Sequence, residues 1–350
     1  MSTVLIFNGG YLEEPGIQKN DTINYVPFLI LTGVSSSLSL LGSVFIFLSY
    51  YRNNERSFNF RLLVFLTIAD FFNAFGNLLG VIRYSFVDAM LTNDDKCDSD
   101  NLCVSQSFIT VFASLASFWW TVFIALNHFL HHGGSRYLEK IPVQVVCHLC
   151  GWICPVTIAS VSLHYDVLGE GLSASSGPWC WIKDCNLSIS TSSVWMALTG
   201  KGWEITTYLV TFAFYMLLKF QKCRFHKKEN LLSKSSSSSS YQSIPENTAE
   251  DTNKYSINQE NHEEEEFGLL WIFLYMYLTR LWGTVRYFIF VGHEGSKYKP
   301  FFDKADDGLM YLQSIGDSAQ AFVNFLGFVV WPKLKRKVQD NCDTTTINLL

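Results

Sequence analysis

Ionisable side chains interrupt four long apolar stretches of this sequence, and they are Asp70, Glu204, Arg280 and Asp317. A charge at membrane depth is costly and by default marks a functional site. At a rise of about 1.5 Å per helical residue, all four would lie in one layer near the membrane midplane. We predict that Glu204 pairs with Arg280, with Asp317 as the competitor for the same guanidinium. Such a layer is either a structural network that orients the helices or a switch, and the sequence leaves both interpretations open.

A shallower set of cations consists of Arg83, Lys201 and Arg286. The same rise places them about 6–10 Å below one end of the helices. One hypothesis is that together they form a vestibule for a small anionic ligand. The alternative is that they reach lipid head groups or pair with the acidic segment NDDKCDSD at 93–100.

Three histidines, His128, His131 and His132, have the i, i+3, i+4 spacing that places side chains on one helix face. Because clustered histidines can hold a catalytic zinc ion, a metal-dependent membrane hydrolase is one alternative function. No second histidine-rich stretch complements the cluster, however. We therefore favour a cluster that faces the membrane interface or a protein partner, and we predict no metal and no cofactor.

The sequence gives less support to the other functions known for membrane proteins. A pore or transporter is a further alternative, but the internal repeat typical of transporters is not evident. Retinal would need a lysine in the last apolar stretch, and 305–331 contains none. The sequence shows no glycine-rich phosphate loop and no catalytic triad pattern, and we expect no nucleic-acid partner.

The elements that must position these residues are membrane helices. Of 350 residues, 49% are hydrophobic and 16% are charged, whereas soluble domains have about 25% charged residues. Seven apolar stretches are long enough to cross a hydrocarbon core, which takes about 20 helical residues, and lipid leaves helices as the means of satisfying the backbone. The predicted fold is an all-α bundle of seven transmembrane helices in a multi-pass protein of the plasma membrane. The predicted spans are 25–51, 62–87, 102–131, 141–165, 194–220, 267–291 and 305–331.

The distribution of lysine and arginine predicts the orientation of the bundle. One set of alternate connecting segments contains fifteen of these residues and the other set contains six. Positive charge is retained on the cytoplasmic side, so the N-terminus is expected outside and the C-terminus in the cytoplasm. The richer set consists of 52–61, 132–140, 221–266 and 332–350.

Two further signals agree with this orientation. Glycosylation sequons begin at Asn20 and Asn186, and both fall in segments predicted to be external. The remaining signal is a group of cysteines in or beside external segments, where disulfides persist. These cysteines are Cys97, Cys103, Cys180 and Cys185.

The connecting segments divide the chain further. Residues 1–24 are predicted to be a short extracellular N-terminus, too short for a folded domain, and 25–331 to be the transmembrane domain. Within it, 221–266 has a serine run and few apolar residues, which predicts a disordered cytoplasmic loop. The cytoplasmic tail 332–350 begins with a basic stretch that suits a helix on anionic lipid.

Several stretches of the sequence resemble one receptor family. They are RLLVFLTIAD at 61–70, FASLASFWWTVFIAL at 112–126, GPWCWI at 177–182, VWMALTGKGWE at 194–204 and LTRLWGTVRY at 278–287. They resemble an orphan branch of the G protein-coupled receptors, akin to the secretin-like and slime-mould cyclic-AMP receptor groups.

Individual positions match this resemblance unevenly. GWICP at 151–155 is similar to a Gly-Trp-Gly-x-Pro pattern, so Trp152 and Pro155 carry over while Cys154 departs from it. Gln320 is similar to the glutamine of a Gln-Gly pair in the seventh span, but Ala321 replaces the glycine at which that helix bends. The rhodopsin-like Asp/Glu-Arg-Tyr and Asn-Pro-x-x-Tyr motifs are absent from the sequence, so their switches do not carry over.

The resemblance implies an orphan receptor without enzymatic activity that passes an extracellular signal to a heterotrimeric G protein. It further favours a G protein of the q class, which drives phosphoinositide and calcium signalling. Gln320 then joins the candidate midplane residues. The candidate contacts for the G protein are Arg61, Arg224, Lys227 and Lys228.

The resemblance also implies a disulfide between Cys103 and Cys180. Cys97 and Cys185 then remain as the other external cysteines, so a second disulfide between them follows by elimination. Trp179 and Trp181 flank Cys180, and amphipathic rings at that depth suit the rim of a ligand pocket or the membrane interface.

Overall fold

The computed structural model is a bundle of helices that run back and forth along one axis. It describes residues 26–52, 57–87, 100–170, 179–183, 187–236, 271, 274–275, 277–292, 299–335 and 337–338. Within these residues the chain forms seven helical stretches, which we call the first to the seventh helix in chain order. By length and apolar composition, four helices in the described part of the chain could each cross a membrane. Those four are Val26–Arg52, Phe58–Phe86, Asn101–His131 and Ile141–His164.

The first three helices are continuous, and the third is the centre of the bundle. They span Val26–Arg52, Phe58–Val87 and Asn101–His132. The third helix packs against the second, fourth and fifth helices. Asp100 begins it as an N-cap, because its carboxylate accepts a hydrogen bond from the backbone N–H of Cys103 at 2.9 Å.

The fourth and fifth helices each contain one wide π turn. The fourth consists of Ile141–His148, the π turn Leu149–Ile153 and Cys154–His164. The fifth consists of Ile189–Met196, the π turn Ala197–Lys201 and Gly202–Ser236. A π turn inserts one residue and rotates the side chains that follow, and such turns are frequent at functional sites.

The end of the fifth helix differs from the sequence prediction. We expected the span to end at Phe220 and a disordered loop to follow, but the helix continues to Ser236. Residues 219–236 include five lysines, one arginine and two leucines, which are good helix formers whether or not they are apolar. Residues 237–266 of the predicted loop lie outside the described residues.

The sixth and seventh helices complete the bundle. The sixth is helical over 277–292 and at the described positions before it. The seventh runs over Lys299–Gly316, is interrupted at 317–319, and resumes as Gln320–Phe325, the π turn Leu326–Val330 and the helical positions 331–335 and 337–338. Its interruption occurs although Ala321 replaces the expected glycine.

Polar side chains of neighbouring helices hold the interruption in the seventh helix. Asn73 donates a hydrogen bond to the backbone carbonyl of Asp317 at 3.0 Å, and Ser39 donates to the carbonyl of Ser318. Asn77 donates to the hydroxyl of Ser318 at 3.0 Å. These groups replace the hydrogen bonds that a helix break leaves unmade, so the break is stabilised from outside the seventh helix.

Close packing of the first helix against the seventh depends on Gly42. A Cβ atom at Gly42 would lie 2.9 Å from the Cα of Phe322, whereas a Cβ at Gly33 would meet only Val81 Cγ1 at 3.5 Å. Gly42→Ala is therefore expected to cost about 1–3 kcal/mol of folding free energy through overpacking. Gly33→Ala, the matched control on the same helix, should be neutral or stabilising by up to about 1 kcal/mol. Thermal unfolding of the two purified variants checks this, and equal melting temperatures would contradict the packing argument.

Candidate ligand cavity and buried polar network

A disulfide joins the third helix to the segment that precedes the fifth. Cys103 and Cys180 are bonded, as the resemblance implies, and both are fully buried. Beside the bond, Leu168–Gly169 and Trp181–Ile182 pair as two short antiparallel strands. We call this end of the bundle the disulfide end. The predicted sites at Asn20, Cys97, Cys185 and Asn186 lie outside the described residues.

A cavity lies directly beneath the disulfide. It has about 630 Å³ of empty space, part of which opens to solvent. Trp179 and Trp181 line its upper part, so the structure places both predicted rim residues at the cavity. The charged and amide side chains that line it are Asn73, Asn77, Lys201, Glu204, Arg280, Gln313 and Asp317.

Arg83, one of the three predicted vestibule cations, is bound to acidic side chains. Its Nε donates to Asp100 and its Nη2 donates to Glu170, both at 2.9 Å. Asp100 ends the acidic segment that the sequence analysis named as the alternative partner. Arg83 thus ties together the second helix, the residue before the third helix and Glu170, which follows the short strand Leu168–Gly169.

Arg286, a second predicted vestibule cation, is 1% exposed and lies between the sixth and seventh helices. Its Nε and Nη2 donate to the two carboxylate oxygens of Asp306, each at 2.8 Å, and its Nη1 donates to Gln313 at 2.8 Å. A two-pronged contact of this kind is among the strongest hydrogen-bonded ion pairs. Arg286 therefore fastens two helices together and is not a residue that lines the cavity.

The predicted ion pair between Glu204 and Arg280 is not formed, and Glu204 has other partners. Lys201, three residues earlier on the fifth helix, donates to Glu204 Oε2 at 3.0 Å. Tyr208 donates to Oε1 at 2.8 Å, and Thr284 of the sixth helix donates to the same oxygen. The prediction was wrong about the partner because depth along the membrane axis does not specify how each helix is rotated.

Arg280 instead begins a chain of hydrogen bonds across four helices, which we call the buried network. Its Nε donates to Gln320 Oε1 at 2.7 Å, and Gln320 donates to Ser117. The hydroxyl of Ser117 donates to Asp70 at 2.7 Å, and Asn324 donates to the other oxygen of Asp70 at 2.8 Å. The network therefore joins the sixth helix to the seventh, third and second.

Two polar atoms at the floor of the cavity have no hydrogen-bond partner among the described residues. They are Nη2 of Arg280 and Oδ1 of Asp317, and both residues line the cavity. Asp317 uses its other oxygen to accept from Gln313 at 2.8 Å. A buried polar group without a partner is costly in free energy. A polar ligand would therefore gain the most binding free energy from hydrogen bonds to these two atoms.

Other polar residues of the site were missed in the sequence analysis. Asn73 and Asn77 follow Asp70 at i+3 and i+7, a spacing that puts all three on one helix face, and this pattern could have revealed them. Tyr275, whose hydroxyl accepts a hydrogen bond from Gln320 at 3.1 Å, carries no such signal. Nor do Asn324 and Ser117, because single polar residues are common in membrane helices. They became recognisable only from their contacts.

At the opposite end of the bundle, the structure describes only part of the predicted partner surface. Arg61 lies on the second helix with its guanidinium 5.1 Å from the ring centre of Phe58. Arg224, Lys227 and Lys228 are on the fifth helix, but their side chains lie outside the described residues.

The histidine cluster gives no support to the hydrolase alternative. His128 is buried, and His148 packs against Phe65 and Trp120. The side chain of His132 lies outside the described residues. Across the part of the chain that the structure describes, no group of three or more metal-binding side chains comes together.

The fold defines a known class of protein. Squid rhodopsin, a solved structure, matches with a TM-score of 0.65 over 92% of this chain and 86% of that chain, at 11% sequence identity. The predicted all-α seven-helix fold is thereby confirmed. No protein-family model matches the chain.

Curated relatives of similar sequence are named as receptors. The mouse (Mus musculus) protein named G-protein coupled receptor 157 is 28% identical over 305 residues, which cover 87% of this chain and 82% of the relative. The human (Homo sapiens) protein of the same name is 27% identical over 310 residues, covering 87% and 80%. Cyclic AMP receptor-like protein A of Dictyostelium discoideum is 25% identical over 151 residues, covering 43% and 35%. The chain is thus a receptor of the G protein-coupled class in the plasma membrane, which it crosses several times, and it is not an enzyme.

Proposed function

We propose that this receptor passes an extracellular signal to a heterotrimeric G protein, and that its disulfide end faces outward. The excess of lysine and arginine in the segments at the opposite end supports this orientation. The disulfide supports it as well, because such bonds persist in the oxidising environment outside the cell. The q class of G protein, with phosphoinositide and calcium signalling, is proposed from the sequence resemblance.

The observation that carries this proposal is the continuity between the cavity and the buried network. Arg280 belongs to both, because it lines the cavity and donates to Gln320 at 2.7 Å. A ligand that binds one arrangement of this contact better than another shifts the population between two states of the bundle. Movement of the sixth helix relative to the third and seventh would then open the opposite end, where Arg61, Arg224, Lys227 and Lys228 are the proposed contacts for the G protein.

The proposed ligand is small and polar. The sequence suggests an anionic ligand at three cations, but Arg83, Lys201 and Arg286 each bind a carboxylate. The four ionisable side chains that line the cavity have formal charges of both signs, two of each. A molecule with an acceptor for Arg280 and a donor for Asp317 fits this arrangement better than an anion.

Loss of the Arg280 side chain should raise the basal activity of the receptor. Arg280→Ala removes the hydrogen bond that ties the sixth helix to Gln320. A loss of about 1.4 kcal/mol from the closed state would shift the equilibrium roughly tenfold. The measurement is recruitment of each class of G protein to expressed receptor in living cells, normalised to receptor at the surface, together with inositol phosphate and calcium.

Lys183→Ala is the control for loss of one cation, because Lys183 pairs with Asp166 at the surface, at 2.6 Å. It should leave basal recruitment unchanged. If neither the natural receptor nor Arg280→Ala recruits any G protein at normal surface levels, the proposed function fails. Recruitment of a class other than q would refute only the assignment of class.

A further inference from the structure

A second cavity of about 2020 Å³, part of it open to solvent, lies at the end opposite the disulfide. We call it the basal groove. Its walls come from the end of the first helix, the start of the second, the third near His128, and the end of the seventh. It plays no part in the ligand cavity or the buried network described above.

The basal groove is cationic. Arg52, Lys333 and Lys337 line it, and no aspartate or glutamate does so among the described residues. None of these three cations has a carboxylate within 4 Å in the described part of the chain. This contrasts with the disulfide end, where Arg83 and Arg286 each bind acidic side chains. A site with three clustered cations and no acid attracts an anion.

The same groove has apolar walls that continue onto the outside of the bundle. The rings of Phe45 and Phe325 stack with their centres 5.2 Å apart, and both line the groove. Leu48 and Leu334 also line it, yet they are exposed on the outer surface. In a membrane this surface meets the acyl chains of lipids, so the groove offers adjacent sites for a charged head group and a hydrocarbon chain.

A buried histidine supplies an independent sign that the groove holds a polar ligand. His128 is 7% exposed and lines the groove, and its Nδ1 has no hydrogen-bond partner among the described residues. Its neighbour Asn127 is satisfied, because it donates to Asn59. A buried polar atom normally has a partner, and a hydroxyl or phosphate oxygen entering the groove would supply one.

We propose that the basal groove binds one anionic phospholipid. Its phosphate groups would lie against Arg52, Lys333 and Lys337, and one acyl chain would lie along Phe45 and Leu48. The occupant is a lipid and not a soluble anion because the walls beside the cations are apolar and open to the bilayer. With the disulfide end outward, the groove faces the cytoplasmic leaflet, which is the leaflet rich in anionic lipid.

Purified full-length receptor in lipid nanodiscs tests the proposal. The discs contain phosphatidylcholine alone, or phosphatidylcholine with a small fraction of phosphatidylserine or phosphatidylinositol 4,5-bisphosphate. Native mass spectrometry then counts the lipids that remain bound. We expect one anionic lipid per receptor, retained from either anionic mixture and in competition with phosphatidylcholine.

Matched variants separate a specific groove from general attraction to a charged surface. Lys333→Gln and Arg52→Gln remove groove cations, whereas Lys335→Gln removes an exposed cation of the same helical turn as Lys333 that does not line the groove. Each groove variant should weaken lipid retention at least about fivefold, the effect of one well-placed cation on anionic lipid. Lys335→Gln should change it less than twofold. All three side chains replaced are exposed, so folding should be unaffected, and thermal unfolding checks this.

Four results would overturn the proposal. Equal loss in Lys333→Gln and Lys335→Gln would mean nonspecific attraction to the membrane. Retention of phosphatidylcholine as firmly as the anionic lipids would show that the cations do not select the head group. A large gain in lipid binding after removal of 339–350 would identify the C-terminus of the chain as the natural occupant. If the receptor bound a free inositol phosphate as tightly as the lipid, the groove would be a site for soluble anions and not for a lipid.

Discussion

Replacing Arg286 by alanine is expected to destabilise the receptor by about 3–5 kcal/mol, because removing one partner of a buried ion pair leaves the other charge uncompensated. The charge left behind is Asp306, which is buried between the sixth and seventh helices. Gln313 also loses the donor that holds its carbonyl oxygen at 2.8 Å. Gln313 in turn donates a hydrogen bond to Asp317. The loss of Arg286 should therefore also change the position of Asp317, which lines the cavity.

The measurement for Arg286→Ala is thermal unfolding of purified receptor together with the amount at the cell surface. At about 2 °C per kcal/mol, the melting temperature should fall by roughly 6–10 °C. Arg136→Ala is a matched control, because Arg136 also donates to a carboxylate, Glu139, at 2.9 Å but is 72% exposed. An exposed pair contributes at most about 1 kcal/mol. Similar melting temperatures for the two variants would contradict the conclusion that Arg286 stabilises the receptor through a buried ion pair.

A double variant distinguishes the loss of a partner from the loss of packing at this site. Arg286→Met combined with Asp306→Leu replaces the buried pair by apolar side chains of similar volume. Such replacements are often neutral or stabilising. We therefore expect the double variant to regain most of the stability that Arg286→Ala loses. A double variant as unstable as Arg286→Ala would show that the geometry of the pair, and not the stranded carboxylate, is what matters.

Loss of the Cys103–Cys180 disulfide is expected to be the other large effect. The bond closes a loop with a sequence separation of 77 residues. In the chain-entropy model such a cross-link stabilises the folded state by roughly 4.5 kcal/mol. Cys103→Ser combined with Cys180→Ser should therefore lower the melting temperature strongly. The segment that carries Trp179 and Trp181 should also no longer be fixed beside the cavity.

Chemical reduction provides the test for this bond. Dithiothreitol should lower the melting temperature of the natural receptor at least to that of the untreated double serine variant, and any further fall in the variant itself would report the predicted Cys97–Cys185 disulfide. Cys150→Ser, at a free cysteine of the fourth helix, is the control and should respond to reduction as the natural receptor does. If reduction leaves the melting temperature of the natural receptor unchanged while the double serine variant is less stable, the serine substitutions and not the loss of the bond account for the effect.

The buried network explains why two interpretations of the midplane charges need not exclude each other. Asp70 accepts from Ser117 and Asn324, so it fixes three helices relative to one another. Arg280 donates one hydrogen bond to Gln320, its Cζ lies 5.0 Å from the ring centre of Phe118, and its Nη2 has no hydrogen-bond partner among the described residues. Each carboxylate oxygen of Asp70 thus has a donor, which suits a structural role, whereas Arg280 retains capacity for a ligand.

The apolar pattern of the sequence determined the class of fold. Lipid allows few ways to satisfy the backbone, so seven long apolar stretches left little choice but a helical bundle. The constant rise per helical residue also predicted that Glu204, Arg280 and Asp317 lie close in depth, and all three line one cavity. The cysteine pair could be named only through the resemblance to a receptor family.

Only the tertiary structure decided which side chains meet. The predicted partner of Glu204 was Arg280, but Lys201 binds it at 3.0 Å. Lys201 lies three residues earlier on the same helix, a spacing that makes side chains neighbours, whereas a pair between two helices depends on how each helix is rotated. The break in the seventh helix arises although Ala321 replaces the glycine, because Asn73 and other side chains from neighbouring helices bind its freed backbone. Depth depends on position along one helix and is local information, whereas rotation and breaks depend on the neighbouring helices, which only the folded bundle brings into contact.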